Sequence, residues 1–125
     1  MAYTLLALLV SALVARCQKR GGGGMMRAYE FVLPAALNRV ELEEVLAETF
    51  GGFTAWQAIG AWQDGGRIVR EAVAVYRVAL SWRDILLNGQ GEVLFALVFG
   101  FAKQEGEKAL YFGTPGRPAI YPTGN

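Results

Sequence analysis

The sequence predicts an α+β fold of the ferredoxin-like kind, βαββαβ, with a four-stranded antiparallel sheet and two helices on one face. Three observations predict it. Four stretches carry strand-like patterning and two carry helical spacing, in that order along the chain. Glycine-rich turn signals separate them. The length, 125 residues, suits one domain.

The elements follow in order. Ala28-Tyr29-Glu30-Phe31-Val32-Leu33 alternates as a strand and Pro34 stops it. Asn38 is a good N-cap, with Glu41 as its capping-box partner. Leu42, Val45, Leu46 and Phe50 then recur at helical spacing until Gly51-Gly52. Phe53 to Trp62 is rich in β-forming residues, Asp64-Gly65-Gly66 is a hairpin turn, and Arg67 to Leu80 is a long β-branched strand. Asn88 to Gly91 reads as a loop, Glu92 to Lys103 as an almost wholly apolar helix, and Glu107 to Phe112 as the last strand. The folded domain is thus placed at 25–113. Residues 114–125 read as an irregular tail, because three of the four prolines lie beyond Gly113.

The third strand is apolar on both faces: Val69, Val73 and Val75 on one, Ile68, Ala72, Ala74 and Val78 on the other. A half-solvated antiparallel strand shows one polar face. The sheet is therefore expected to be covered twice, by helices and by further subunits, as in a homotrimer; the alternative cover is the C-terminal tail.

Composition excludes several chemistries. The chain has no His and one Cys, so neither a His/Cys zinc site nor a His-assisted nucleophile can be built from one copy. A formal charge of +1 offers no field for nucleic acid. No cofactor or metal is implied. The glycines lack the strand-to-helix setting of a phosphate loop.

Residues 1–24 stand apart as a leader. Leu5 to Val14 is apolar, Arg16, Lys19 and Arg20 follow, and four glycines precede Met25-Met26. The run is about half the roughly 20 residues of a membrane span. It reads as an export signal or as a segment not normally translated, and no membrane is expected for the folded domain. The two readings put the protein in the periplasm or in the cytoplasm. Without the three leader cations the remaining chain carries −2 and no Cys.

Three features could carry function. The even-numbered face of the second strand, Thr54, Trp56, Ala58, Gly60 and Trp62, sets large rings beside gaps and could stack a flat ligand such as a purine; plain sheet packing is the alternative. Glu71 shares a face with Val73 and Val75, where a carboxylate needs a partner. That partner is a ligand hydroxyl or ammonium, or else Arg77. Gln104 and Glu105 lie where the last helix meets the last strand, as a solvated connection or as a group at a subunit boundary near another copy's Glu71. Glu107 and Lys108 read as plain surface.

The stretches FGGFTAWQAIGAWQDGGRIVREAVAVYRV and FAKQEGEKALYF resemble small bacterial and phage ferredoxin-like proteins, over about residues 28–112. Within them the chain is most similar to the phage S-adenosylmethionine-degrading enzymes, formerly called hydrolases and now lyases, which share the architecture of the trimeric PII-like signalling proteins. The resemblance implies a ligand site between subunits and S-adenosylmethionine as substrate. It implies substrate binding by Gly60, Trp62, Glu71, Gln104 and Glu105, with Glu71 and Glu105 as the catalytic pair. Trp62 stands where the family's ring can be Tyr. The implied reaction needs no thiol, His, metal or cofactor: the substrate's carboxylate attacks its own γ-carbon, giving 5′-methylthioadenosine and homoserine lactone. Two further readings stay open, a non-enzymatic trimeric nucleotide-binding module and an exported interaction protein.

Overall fold

The computed structural model describes residues 25–125; the leader and both readings of it lie outside the described residues. The order is β1 (Met26–Pro34), α1 (Val40–Phe50), β2 (Thr54–Asp64), β3 (Arg67–Ser81), α2 (Trp82–Asn88), α3 (Gln90–Gln104), β4 (Ala109–Thr114) and β5 (Arg117–Pro122). The strands form one antiparallel sheet in the order β2-β3-β1-β4-β5. The first four are arranged as the expected fold requires.

The core lies between the helices and one face of the three central strands. Phe31 and Leu33 of β1, Ala74, Tyr76, Val78 and Leu80 of β3, and Leu110 and Phe112 of β4 face Leu42, Val45 and Leu46 of α1 and Leu94, Leu97, Val98, Phe101 and Ala102 of α3. Three rings bridge the strands: Phe31 stacks on Tyr76 at 5.0 Å between centroids and on Phe112 at 6.2 Å. The Tyr76 hydroxyl donates to Glu43 Oε2 (2.5 Å) and accepts from Arg39 Nη1 (2.5 Å), which ties β3 to the start of α1. Burial, and next the hydrogen bond to Glu43, push Tyr76 up to about 12.

Among the described residues the sheet has five strands where four were expected, and there are three helices where two were expected. The fifth strand comes from the tail read as irregular. Pro115 and Gly116 (φ +82) make the turn, and at Gly113 a Cβ would sit 2.6 Å from the Arg117 carbonyl oxygen, so only glycine lets β5 return this closely. Prolines are compatible with β5 because it is an edge strand. The unforeseen helix, α2, is nucleated by Ser81, whose hydroxyl accepts from Asp84 N (3.1 Å). It abuts α3 at Gly89 with a bend of 83°, so the segment read as a loop is mostly helical. The capping box at Asn38 does not form: α1 begins at Val40, and Asn38 Oδ1 accepts from Val40 N instead (3.2 Å). Among the described residues no single helix is long and apolar enough to cross a membrane.

β2 and β3 run past the helix layer. β1 pairs with β3 only as far as Val73, so Arg67–Ala72 and the facing part of β2 form a two-stranded arm. Its turn is Gly65-Gly66, both with positive φ. Ile59 and Ile68 on its helix-side face are 68% and 63% exposed.

The Tyr76 network gives a stability prediction. Tyr76→Phe leaves two charged groups without their buried partner and is expected to cost about 2 kcal/mol, roughly 10 °C in Tm by calorimetry. The neutral phenol is favoured in the fold, so wild-type stability is expected to fall as pH rises from the ordinary tyrosine range near 10 toward 12, and the variant to lose that slope.

Candidate functional site

The face of the sheet turned away from the helices carries Trp56, Gly60, Trp62 and Glu71. Strand alternation and the β2–β3 register set Trp62 opposite Val69, Gly60 opposite Glu71, Ala58 opposite Val73 and Trp56 opposite Val75. On β1 and β4 the same face continues with Val32 and Tyr111, which are paired to each other, and on β5 with Ile120. Trp56 is 41% exposed, Trp62 46% and Ile120 69%. The face is therefore apolar and uncovered among the described residues; within one chain the tail extends the sheet and does not fold across it.

Gly60, Trp62 and Glu71 are brought together. The residue directly across from Glu71 has no side chain, and on the same face it is flanked along β2 by Trp62 and Ala58. A Cβ at position 60 would lie 3.2 Å from Val73 Cγ1, tight enough that valine must shift. Glycine at this position is thus part of how β2 and β3 pack, because the Val73 methyls lie over it.

Arg77 is not the partner of Glu71. It donates to Glu30 Oε1 from Nε (2.9 Å) and Nη2 (2.5 Å), with its guanidinium 5.4 Å from the Trp56 ring. Glu30 lies directly across from Arg77 on β1, which places it in reach. Among the described residues no cation forms an ion pair with Glu71.

Gln104 and Glu105 occupy a different place. They line a cleft of about 620 Å³ between the start of α1 and the end of α3, with Asn38, Glu41, Glu44 and Phe101. One chain does not gather them with Gly60 and Trp62.

Glu107, read as plain surface, is half-buried and is the acidic residue that senses Glu71. Burial pushes its carboxyl up, and the charge of Glu71 pushes it further the same way. The sequence carried no signal for it, because Thr123 and Asn125, which bond to its carbonyl, are brought to it only by the fold. Among the described residues no group of three or more His, Cys, Asp or Glu is placed to hold a metal ion.

The chain matches no protein-family profile and no curated protein sequence. Two solved structures are similar to it, each over 81% of this chain and 89% of theirs. One is a phage SAM lyase in complex with S-methyl-5′-thioadenosine, at 18% identity and a TM-score of 0.44. The other is a phage SAM lyase in the apo state, at 17% identity and the same TM-score.

A carboxyl pushed up is less costly protonated, so its contribution to the fold is lost as pH rises from the ordinary 4.5 through the raised folded value. Glu107→Gln is therefore expected to raise Tm at pH 7, by no more than about 4 °C, and to lose that gain near pH 4; a scanning-calorimetry series in pH checks the sign.

Proposed function

We propose that the protein is an S-adenosylmethionine lyase whose site lies on the open sheet face and is completed by a neighbouring copy. The observation that carries this is Glu71, without an ion-pair partner among the described residues, set opposite Gly60 on the face that also presents the half-exposed rings of Trp56 and Trp62. A flat purine stacks on such a ring, and a carboxylate beside it accepts from ribose hydroxyls or an ammonium. The motif resemblance over Gly60-Ala61-Trp62, Arg70-Glu71 and Gln104-Glu105 supports the same substrate.

The reaction asks little of the protein beyond placement. A carboxylate oxygen of the substrate attacks its own γ-carbon, the carbon–sulfur bond breaks, and its electron pair goes to sulfur. Sulfonium and carboxylate become a neutral thioether and a lactone, while the α-ammonium leaves with the lactone. Folding the methionine part so that oxygen and γ-carbon meet supplies the main effect. Two opposite charges are neutralised as the bond forms, so a drier setting than water favours the step. A carboxylate set tightly on the sulfonium would oppose it by stabilising the ground state. Glu71 is therefore assigned to ribose hydroxyls or the ammonium, and Glu105 with Gln104 to a neighbouring subunit's ligand. Packing of the open faces in a homotrimer would cover the apolar surface left by one chain and exclude water from the ligand. Such an enzyme would act in the cytoplasm of the host, where its substrate is made.

Incubating the full chain with S-adenosylmethionine and following products by mass spectrometry at early times tests this. Methylthioadenosine with homoserine lactone ahead of homoserine is expected; unchanged substrate from folded protein ends the lyase reading. Glu71→Gln is expected to lower kcat/KM by about 10–100-fold, the size of a charge-assisted hydrogen bond. Full turnover by that variant would remove Glu71 from the site.

A further inference from the structure

We propose that the β2–β3 arm of one copy docks, by its helix-side face, into the cleft between α1 and α3 of a second copy. The inference rests on the reading above, in which a neighbouring subunit completes the site, and says which surfaces bring the two halves together.

The arm has a face that one chain does not use. Beyond Val73 the register sets Ile59 opposite Ala72, Ala61 opposite Arg70 and Gln63 opposite Ile68. Strand alternation turns these side chains to the side on which Ala74 and Tyr76 meet the helices. Among the described residues no helix covers them: Ile59 and Ile68 stay exposed, and so do Ala61 and Ala72. Such a run of apolar side chains on one strand pair marks a surface meant for contact. Arg70 is the one charge on this face, and it forms no ion pair among the described residues.

The cleft is its complement. Its volume, about 620 Å³, is large enough to receive several side chains, and buried Phe101 and exposed Val40 line it. Glu41, Glu44 and Glu105 line it too, and none of them forms an ion pair among the described residues. The end of the chain is engaged elsewhere, since Asn125 Nδ2 donates to the carbonyls of Lys103 (2.9 Å) and Glu107 (2.8 Å). One surface is thus apolar with a lone cation, and the other is an apolar hollow edged by carboxylates. Exposed charge pairs add little affinity, but they select which surfaces meet. Burial of the two isoleucines supplies the attraction.

Their positions allow the exchange. β1 stops at Pro34, opposite Val73, where the arm begins. The chain then leads directly into α1, and α3 ends just ahead of β4. Arm and cleft therefore lie at the same end of the molecule. In a ring packed about an axis along the strands, each arm stands level with its neighbour's cleft. The other face of the arm carries Gly60, Trp62 and Glu71, and the cleft carries Gln104 and Glu105. Docking joins the two groups that one chain keeps apart.

Sedimentation equilibrium of the full chain tests this. The wild type is expected to associate. Ile68→Asp and Arg70→Glu are each expected to raise the concentration for half-assembly about tenfold. Adding Glu41→Lys and Glu44→Lys to Arg70→Glu is expected to recover most of that loss. All four positions are exposed in one chain, so circular dichroism is expected to show an unchanged fold. Should Ile68→Asp fail to fold, Arg70→Glu and its rescue decide the matter. A monomeric wild type overturns the proposal. So does an assembly that Arg70→Glu leaves intact, or a loss that the reversed charges do not recover. Turnover of S-adenosylmethionine separates the two readings. If the arm variants assemble and turn over as the wild type does, this inference alone falls. If assembly is lost and rescued as expected while the wild type leaves S-adenosylmethionine unchanged, the lyase reading alone falls.

Discussion

The row of rings Tyr76, Phe31 and Phe112 crosses the three central strands and sets the positions of most other elements. Aromatic side chains bury the most area per residue, and a stacked row gives the helices a continuous surface to dock on. It also sets a limit. The buried core draws its strand residues from β1, β3 and β4; β5 reaches the helices through Tyr121, whose ring meets Phe95 of α3 edge-on at 4.8 Å, while β2 adds no residue to the core. Whatever β2 presents must be used elsewhere, and Trp56, Gly60 and Trp62 are what it presents. The Tyr76 hydroxyl extends the same row to α1 through Arg39 and Glu43, so one side chain joins core packing to helix placement.

Much of this was legible in the sequence wherever a single periodicity decided the matter. The period-two pattern of Phe53 to Trp62 and Arg67 to Leu80 put Trp56, Gly60, Trp62 and Glu71 on common faces, and the register joins those two faces into one. The apolar spacing of α1 and α3 was equally plain. The missed features depend on short or compensated signals. α2 has seven residues, too few for a period to show, and its serine cap is a common residue. β5 was hidden by its prolines, which argue against a central strand and say nothing against an edge. The partner of Arg77 is 47 residues away, across a strand pair whose alignment the sequence does not state.

The acidic residues show the same division. Glu71 could be placed on a face from its neighbours. Glu107 could not, because it is braced by Thr123 and Asn125 from the last residues of the chain, which only the fold brings to it. Gln104 and Glu105 follow the helix end into a cleft with α1. A chain without His and with no cysteine after residue 24 leaves carboxylates, aromatic faces and backbone groups as its instruments. These suit a reaction in which the substrate supplies its own nucleophile.

The terminal strand has one more effect. Thr123 N points back to Lys108, so the intervening even-numbered positions of β5 turn their backbone outward, and two of those three are Pro118 and Pro122. That border of the sheet has a single N–H donor left to offer, at Ile120. The opposite border, β2, is eleven residues long and has neither proline nor lysine. Head-to-tail growth from β2 of one molecule to β5 of the next is thereby blocked, and with it the open-ended polymer that an unguarded sheet invites. Any strand-to-strand union must begin at β2, which leaves closed assemblies as the outlet for this edge.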